Sequence, residues 1–348
     1  MPRQHRVTIR EIARMCGVSV QTVSRVINKR PDVAPATRHA VETAIASVGF
    51  HPSAVARSLV QRRSQTLGVV VTGLRYFGVA ETLNGITEAC QTSEFALLLK
   101  ELATDDVEGF IPAIDFLIGH RVEGLIIFAP PDAASVASIQ AEFPATRLPI
   151  TLLKAQPSSE FSTISIDDRG GARLATQHLL GLGRRRIGHI GGPQSWHEAR
   201  ERLAGWQSAL TEAAVGTGPV AFGDWSATSG EDAFSQLMAS TPELDAVFVA
   251  NDQMALGLLH GANEQGIDVP RDVAVVGFDG LIEGAHFTPS LTTIVQPLRE
   301  LGRLAVQEVM AQIDADHDGR AVRNVALATE LLVRDSAPGA GGTIPSLT

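Results

Sequence analysis

The sequence predicts an all-α head of about 50 residues followed by a large α/β core of two doubly wound halves. Apolar residues recur at helical spacing through the head, whereas from Thr66 short continuous apolar runs alternate with amphipathic stretches. The charge also changes sign. Residues 1–63 hold 11 Lys and Arg against 3 Asp and Glu, and residues 64–348 hold 18 against 35. A basic head can neutralise phosphates that the acidic core would repel, so we expect nucleic-acid contact to be confined to the head.

The first helix of the head is predicted to begin after Thr8. Thr8 and Glu11 have the Thr-x-x-Glu spacing of a capping box, and Gly17 ends the helix. Ser19 can cap a second helix, and Pro35 suits the first position of a third, which Gly49 closes. Three short helices of this kind form one small bundle.

The second helix is the candidate for reading DNA. Its apolar residues Val23, Val26 and Ile27 recur at helical spacing, and Val20, Gln21, Ser24, Arg25 and Asn28 are left on other faces. The helix thus shows uncharged hydrogen-bonding residues and one arginine. Such a surface suits a helix that contacts base edges in the major groove. The alternative is an ordinary bundle helix with a solvated polar face, which the positive charge of the head disfavours.

Residues 51–63 are predicted to form a hinge helix or linker. Isolated helices this short are marginal in water, so the segment should become helical only when docked. Leu59, the small Ala56 and the flanking Arg57, Arg62 and Arg63 suit a minor-groove helix with an apolar wedge. A plain interdomain linker with a solvated run of charges is the alternative.

In the core, seven apolar runs are candidate strands, and amphipathic stretches lie between them. The runs are LGVVVTG from Leu67, FALLLK from Phe95, VEGLIIFA from Val122, LPITLLK from Leu148, RIGHIGG from Arg186, AVFVAND from Ala246 and VAVVGFD from Val273. Continuous apolar strands that alternate with helices indicate parallel sheets. The core is too long for one compact sheet, so two doubly wound halves are expected, with a break between Ile164 and Asp167.

Polar residues at the ends of predicted strands are the candidate ligand contacts, because open α/β sheets bind ligands beyond the carboxyl ends of their strands. Asn251 and Asp279 are favoured as ligand contacts, whereas Asp168 and Asp252 are favoured as helix caps. Trp225 lies in a turn-rich loop, where an indole can stack on a sugar ring or fill the core. Arg202 can donate to ligand hydroxyls or pair with a carboxylate.

Other functional classes lack support in the sequence. We find no nucleophile elbow, no Walker loop and no H-E-x-x-H sequence, so no catalytic site is predicted. Cys16 and Cys90 lie far apart, outside any Cys/His cluster, so neither a metal nor a disulfide framework is expected. No cofactor is expected either. The sequence shows neither a secretory signal nor an apolar run of membrane-spanning length, which favours a cytoplasmic protein.

The chain resembles the lac repressor and galactose repressor family of bacterial transcription regulators from Val7 to about Ser336. The segments that carry the resemblance are VTIREIARMCGVSVQTVSRVIN, SIDDRGGARLATQHLLGLGRRRIGHIGGP, AVFVANDQMALGLLHGANEQGIDVPRDVAVVGFDG, SLTTIVQPLRELG and ATELLVRDS. The family implies a helix-turn-helix head, a hinge helix and a core similar to periplasmic sugar-binding proteins. In such a core the chain passes three times between the two subdomains. The implied domains are a head at 1–50, a hinge at 51–63, a core at 64–338 and a disordered tail at 339–348. The first subdomain takes 64–165 and 295–324, and the second takes 166–294 and 325–338.

The resemblance also assigns roles to individual residues. It implies that Val20, Gln21 and Arg25 read bases, that Leu59 enters the minor groove beside Ala56, and that a second group lies nearer the phosphates: Thr8, Ser19, Thr22, Ser24 and Asn28. In the core it implies effector contacts from Arg202, Trp225, Asn251 and Asp279, with Phe77 and Tyr76 as weaker candidates, since TGLRYFGVAETL lacks the family's usual Asn-Pro turn. Ala34 stands where a serine usually caps the third helix.

The function expected from these observations is a DNA-binding regulator, a repressor of carbohydrate-utilisation genes, gated by a small sugar. Its expected partners are double-stranded DNA with a pseudo-palindromic operator, the sugar and a second copy of the chain. The tail carries no leucine heptads, which favours a homodimer over a tetramer. The alternatives are a transport solute-binding protein, which would lack the basic head, and an α/β enzyme acting on sugars, which would need a catalytic constellation.

Overall fold

The computed structural model divides the chain into two compact units, Met1–Gln65 and Thr66–Thr348. The structure describes residues 7–50, 63–102, 107–128, 133–143, 148–315 and 321–339. The predicted hinge residues Ala56 and Leu59, and the predicted disordered tail apart from its first residue, lie outside the described residues.

The head contains three helices, α1 (Ile9–Met15), α2 (Val20–Ile27) and α3 (Pro35–Ser47). The capping box predicted at the start of α1 is present, and the Ser19 side chain accepts a hydrogen bond from the Thr22 backbone amide at the start of α2. Ala34 precedes α3 without a side-chain cap. One apolar cluster joins the helices through Ile12, Ala13, Val23, Val26 and Val41.

The larger unit is an α/β core with two six-stranded sheets. The first sheet has the strand order β11-β5-β4-β3-β1-β2, and the second has β12-β10-β9-β8-β6-β7. The strands are β1 (Thr66–Thr72), β2 (Ala96–Leu102), β3 (Gly124–Phe128), β4 (Ile150–Leu153), β5 (Ser162–Ile166), β6 (Ile187–Gly191), β7 (Val220–Phe222), β8 (Ala246–Val249), β9 (Ala274–Asp279), β10 (Thr292–Val295), β11 (Asn324–Leu327) and β12 (Glu330–Leu332). The helices are α4 (Phe77–Thr92), α5 (Val107–Gly119), α6 (Ala133–Glu142), α7 (Asp168–Gly181), α8 (His197–Glu212), α9 (Ala227–Ser240), α10 (Asp252–Glu264) and α11 (Leu298–Asp314), with a 3₁₀ turn at Ile282–His286.

The predicted parallel architecture is confirmed. Every strand pair of the described core is parallel except β10 with β12. The central strands β3, β4, β8 and β9 are buried along their whole length, which is why their sequences are continuously apolar. Among the described helices, none has both the length and the apolar composition to cross a membrane.

The chain passes between the two sheets three times: after β5, after β10 and after β11. The sequence placed the last passage between residues 324 and 325. In the structure β11 pairs with β5 and belongs to the first sheet, so that passage comes after Leu327. The list of predicted strands also lacked five short ones: β5, β7, β10, β11 and β12. These strands have only three residues or contain polar residues, as in STISI of β5 and TTIV of β10, so no continuous apolar run marks them as it marks β4 and β8.

Candidate functional site

A cavity of about 470 Å³ lies between the two halves of the core. The first half contributes residues that follow β1 and β4: Arg75, Tyr76, Phe77, Gly78, Val79 and Lys154. The second half contributes the start of α8 and the segments that follow β7, β8 and β9, including Trp196, Glu198, Arg202, Asp224, Trp225, Asn251, Gln253 and Asp279. The structure thus brings together all five residues predicted as effector contacts, Phe77, Arg202, Trp225, Asn251 and Asp279. Strand ends meet here because parallel strands of each sheet point the same way.

Arg202 is the most constrained side chain of the cavity, with 3% of its surface exposed. Its Nε donates to Asp168 Oδ1 at 2.8 Å, its Nη1 donates to the Ala250 carbonyl at 2.6 Å, and Nη1 lies 3.6 Å from Asp279 Oδ1. The guanidinium also lies 3.9 Å from the centre of the Phe278 ring. The pairing with a carboxylate that the sequence allowed is present, and Arg202 also lines the cavity, so donation to ligand hydroxyls stays a prediction.

The two residues favoured as helix caps, Asp168 and Asp252, do not serve as N-caps. Helix α7 is capped by Asp167, which accepts from the Gly170 amide at 2.8 Å, and Asp168 instead accepts from Arg202. Helix α10 is capped by Asn251. In each helix the residue immediately before the predicted cap is the actual N-cap. Sequence patterns locate the start of a helix only to within one or two residues.

Asp252 is instead a fully buried acceptor that does not line the cavity. Its two oxygens accept from Thr293 Oγ1 at 2.6 Å and from the Leu281 amide at 2.8 Å, and burial raises its pKa to about 6. Asp279 accepts from Gln296 Nε2 at 2.6 Å, and burial raises its pKa to about 7 despite the opposing charge of Arg202. Asp279 also has a φ of 130°, a strained backbone conformation of the kind found at functional sites.

Trp225 forms part of the wall contributed by the second half, and it is 7% exposed. Its backbone has a φ of 77°, and its carbonyl accepts from Asn251 Nδ2 at 3.0 Å. The indole lies against Gly192, where a Cβ would come within 2.1 Å of the ring. Trp225 therefore fills part of the core, which was one of the two alternatives predicted for it. It also lines the cavity with an indole ring that is held in place.

Asn251 fixes this loop to helix α10. Its Oδ1 accepts from the Met254 amide at 2.9 Å, and its Nδ2 also donates to Gln253 Oε1 at 2.8 Å. Both hydrogens of the amide are thus used within the protein, so Asn251 positions Trp225 in addition to lining the cavity.

The aromatic residues of the cavity come from both halves. The Tyr76 ring meets the Trp196 ring edge-on with centroids 5.2 Å apart, and Trp196 meets Trp225 edge-on at 6.1 Å. The chain has one tyrosine and three tryptophans, so the tyrosine and two of the tryptophans are concentrated here. The sequence analysis missed Trp196, although it directly precedes α8 and follows the glycine-rich end of β6.

Lys154 and Glu198 were also missed. Lys154 follows β4 and Glu198 lies in the first turn of α8, and Lys154 Nζ lies 3.6 Å from Glu198 Oε1 across the cavity. The rule that selected Asn251 and Asp279, a polar residue directly after an apolar strand, would have selected Lys154 as well. No cluster of three or more His, Cys, Asp or Glu with the geometry to hold a metal occurs in the described part of the chain.

The head presents the predicted base-reading residues on one exposed surface. Val20, Gln21 and Arg25 are exposed on α2, while Val23 and Val26 of the same helix are buried. The described residues predicted near phosphates are partly used within the head. Thr8 and Ser19 cap helices, Ser19 Oγ lies 2.9 Å from Thr22 Oγ1, and Asn28 Nδ2 donates to the Ser24 carbonyl at 2.9 Å.

Two protein-family models match the chain. Residues 8–53 match the model described as "Bacterial regulatory proteins, lacI family", and residues 176–337 match the "Periplasmic binding protein-like domain". The first covers most of the head unit, and the second covers most of the second sheet and its helices.

Relatives with curated descriptions match over almost the whole chain. The HTH-type transcriptional regulator GalR of Escherichia coli (strain K12) is 36% identical over 314 residues, which is 88% of this chain and 89% of the relative. The lactose operon repressor of the same strain is 33% identical over 328 residues, 94% of this chain and 89% of the relative.

Solved structures agree with these matches. The crystal structure of the lac repressor dimer bound to operator and the anti-inducer ONPF has a TM-score of 0.89 at 33% identity, covering 96% of this chain and 99% of that one. The complex of the transcriptional regulator CelR with cellobiose has a TM-score of 0.71 at 32% identity, covering 95% of this chain and 100% of that one.

Proposed function

We propose, since the chain belongs to the lacI family of bacterial regulatory proteins, that it represses transcription by binding a pseudo-palindromic operator as a homodimer. Exposed Val20, Gln21 and Arg25 of α2 contact base edges, and the positive charge of the head favours the phosphates. Two copies related by a two-fold axis match the symmetry of such an operator. The structurally similar lac repressor is itself described as a dimer bound to operator. A repressor acts where its DNA is, so the proposed location is the cytoplasm.

The effector we propose is a small carbohydrate bound in the cavity between the two halves of the core. The observation that carries this proposal is the combination of fixed aromatic rings with buried polar groups around one space of about 470 Å³. Indole and phenol rings stack on the apolar faces of sugar rings, and Arg202 and Asp279 can donate to and accept from hydroxyl groups. The structurally similar regulator CelR is described in complex with cellobiose.

The effector controls operator binding only if it binds two arrangements of the core with different affinity. The cavity has walls from both halves, so a bound ligand contacts both and stabilises one relative arrangement of them. Residues 51–63, the proposed hinge between the head and the core, would transmit this preference to the head.

The proposal is tested by measuring effector and operator binding separately. Calorimetric titration of a panel of uncharged mono- and disaccharides identifies the effector, and a gel-shift titration uses a semi-palindromic DNA from upstream of the gene or its neighbours. We expect Trp225→Ala to weaken sugar binding by roughly tenfold, the value of one aromatic contact. Operator affinity without sugar should stay nearly the same, because Trp225 lies in the core.

Phe222→Ala is the matched control. Phe222 is an aromatic residue at the end of β7, close in sequence to Trp225, but its ring is half exposed and does not line the cavity. Its removal should leave sugar affinity unchanged. Equal sugar affinity in the Trp225→Ala protein and the parent would refute the stacking role, and failure of every sugar to bind or to change operator affinity would refute the carbohydrate effector.

A further inference from the structure

The cavity contains a buried pair of opposite charges whose hydrogen-bonding capacity is unused. The Lys154 and Glu198 side chains are each 5% exposed, and their nearest charged atoms are 3.6 Å apart, which is too long for a hydrogen bond. Within the described part of the chain, neither the ammonium nor the carboxylate makes a hydrogen bond to another residue. Both groups line the cavity, so a ligand that enters it and supplies these hydrogen bonds is favoured.

The two residues come from opposite walls. Lys154 directly follows β4 with a φ of 51°, and its ammonium lies 5.9 Å from the centre of the Phe128 ring. A Cβ at Gly78 would come within 3.3 Å of that ammonium. Glu198 lies in the first turn of α8, where the helix dipole favours a negative charge. A ligand that enters between the walls therefore meets a donor on one side and an acceptor on the other.

The numbers of buried positive and negative groups at the cavity determine whether a charged ligand can bind there. The buried cations at the cavity are Lys154 and Arg202, and the buried carboxylates around them are Glu198, Asp168 and Asp279. Lys154 is paired with Glu198, and Arg202 is paired with Asp168 and Asp279. Arg75 also lines the cavity but is exposed, so an anionic ligand that binds at the buried cations would have to separate one of these pairs and lie beside the freed carboxylate. Breaking a buried pair is strongly unfavourable, so phosphates and carboxylates should be rejected.

An uncharged hydroxyl group has neither problem. A hydroxyl can accept from the Lys154 ammonium and donate to the Glu198 carboxylate at once, and two neighbouring hydroxyls can each take one partner. Hydrogen bonds to charged groups are stronger than those between neutral groups. The Lys154–Glu198 pair therefore increases the affinity for a hydroxylated ligand that carries no charge.

We propose that Lys154 and Glu198 are specificity-determining residues, which bind hydroxyl groups of an uncharged ligand and reject sugar phosphates and sugar acids. The inference rests on the proposed function in taking this cavity as the effector site. It goes beyond that function in naming the charge of the ligand and the residues that select it.

The test uses the full chain and inorganic phosphate as the anionic probe. Phosphate binding is followed by calorimetry and by the fluorescence of the cavity tryptophans, Trp196 and Trp225. The parent protein should not bind phosphate in the cavity. Glu198→Gln removes one negative charge with almost no change of shape and releases the Lys154 ammonium. Phosphate should then bind with an affinity roughly tenfold to a hundredfold above the upper limit that the parent sets, the value of one hydrogen bond to a charged group. Adding Lys154→Met to that variant should abolish the gain.

Glu201→Gln is the matched control. Glu201 lies three residues along the same helix and pairs with Arg169 at 3.2 Å, and it does not line the cavity. The same loss of charge there should not produce phosphate binding. If Glu198→Gln is not folded by near-ultraviolet circular dichroism, Glu198→Ser replaces it, since a serine also removes the charge and leaves more space.

Three results would overturn the proposal: phosphate bound in the cavity of the parent protein, no gain in a folded Glu198 variant, or an equal gain with Glu201→Gln. A gain that persists after Lys154→Met would overturn the role of Lys154. These outcomes do not depend on the sugar panel, so failure of the carbohydrate proposal and failure of this one are distinguishable.

Discussion

The two walls of the cavity are constructed differently. On the wall from the second half, Arg202 donates to the Ala250 carbonyl, Asn251 donates to the Trp225 carbonyl, and Asp279 accepts from Gln296 Nε2, in hydrogen bonds of 2.6–3.0 Å. On the wall from the first half, Tyr76 directly precedes α4 without a side-chain cap. The second wall is therefore fixed before a ligand arrives, and it contains buried charged groups. Changes there should lower the stability of the protein, whereas changes at the Arg75–Tyr76 segment of the first wall should alter ligand binding with little effect on stability.

The largest expected effect is from Arg202→Met, which removes the centre of the second wall. Asp168 would lose its charged partner and Asp279 its nearby cation, and both would stay buried. We expect the free energy of unfolding to fall by about 3–5 kcal/mol, the usual cost of breaking a buried ion pair from one side. Urea denaturation of the full chain measures this.

Arg173→Met is the control for that variant. Arg173 pairs with Glu212 at 2.7 Å, but both side chains are about half exposed. An exposed pair contributes at most about 1 kcal/mol, so the two arginine variants should differ clearly. Similar losses from the two would show that burial of the Arg202 network carries no special stability.

The second half also contains the buried groups whose titration should make the stability of the protein depend on pH. His189 of β6 is fully buried between the Trp206 and Phe248 rings, and burial lowers its pKa to about 4 from the 6.5 of an exposed histidine. The unfolded chain takes up the proton first, so the stabilisation is complete above pH 6.5 and is lost as the pH falls toward 4. The loss amounts to about 3 kcal/mol. Denaturation curves at a series of pH values in this range measure the slope.

His189→Phe is the comparison that isolates this histidine. Asp252 and Asp279 have pKa values raised by burial, so their effect has the opposite sign, and the folded state gains from them as the pH falls below about 7. Subtracting the slope of unfolding free energy against pH in the variant from that in the parent cancels the contribution of Asp252 and Asp279, which both proteins share. Parallel pH profiles of the two proteins would contradict the assignment.

The smallest expected effect is on the first wall. Tyr76→Phe removes the hydrogen bond from Arg75 Nη2 to the tyrosine hydroxyl, 2.7 Å long, and keeps the edge contact with Trp196. We expect the free energy of unfolding to change by less than about 1 kcal/mol, because this hydrogen bond is exposed. Thermal melting measures it. A loss as large as that of Arg202→Met would remove the distinction between the two walls.

Local patterns in the sequence were sufficient to predict the fold class and the family of the protein. Continuous apolar strands, the capping box at Thr8 and the basic head together predicted an all-α head on an α/β core, and the resemblance to the lac and galactose repressor family was confirmed by relatives that match nearly the whole chain. These features are local or compositional, and each is set by residues close together in the chain.

The tertiary structure determines which residues of the two halves face each other across the cavity. Lys154 directly follows an apolar strand, but no local pattern places Glu198 opposite it. The two residues meet because β4 ends and α8 begins at the same cavity. The sequence favoured Asp168 as a cap, but in the structure Asp168 pairs with Arg202, 34 residues away. Charge pairing between distant residues depends on the relative placement of two sheets that the chain joins in three passages. That placement is set by packing of the whole core, so local patterns do not encode it.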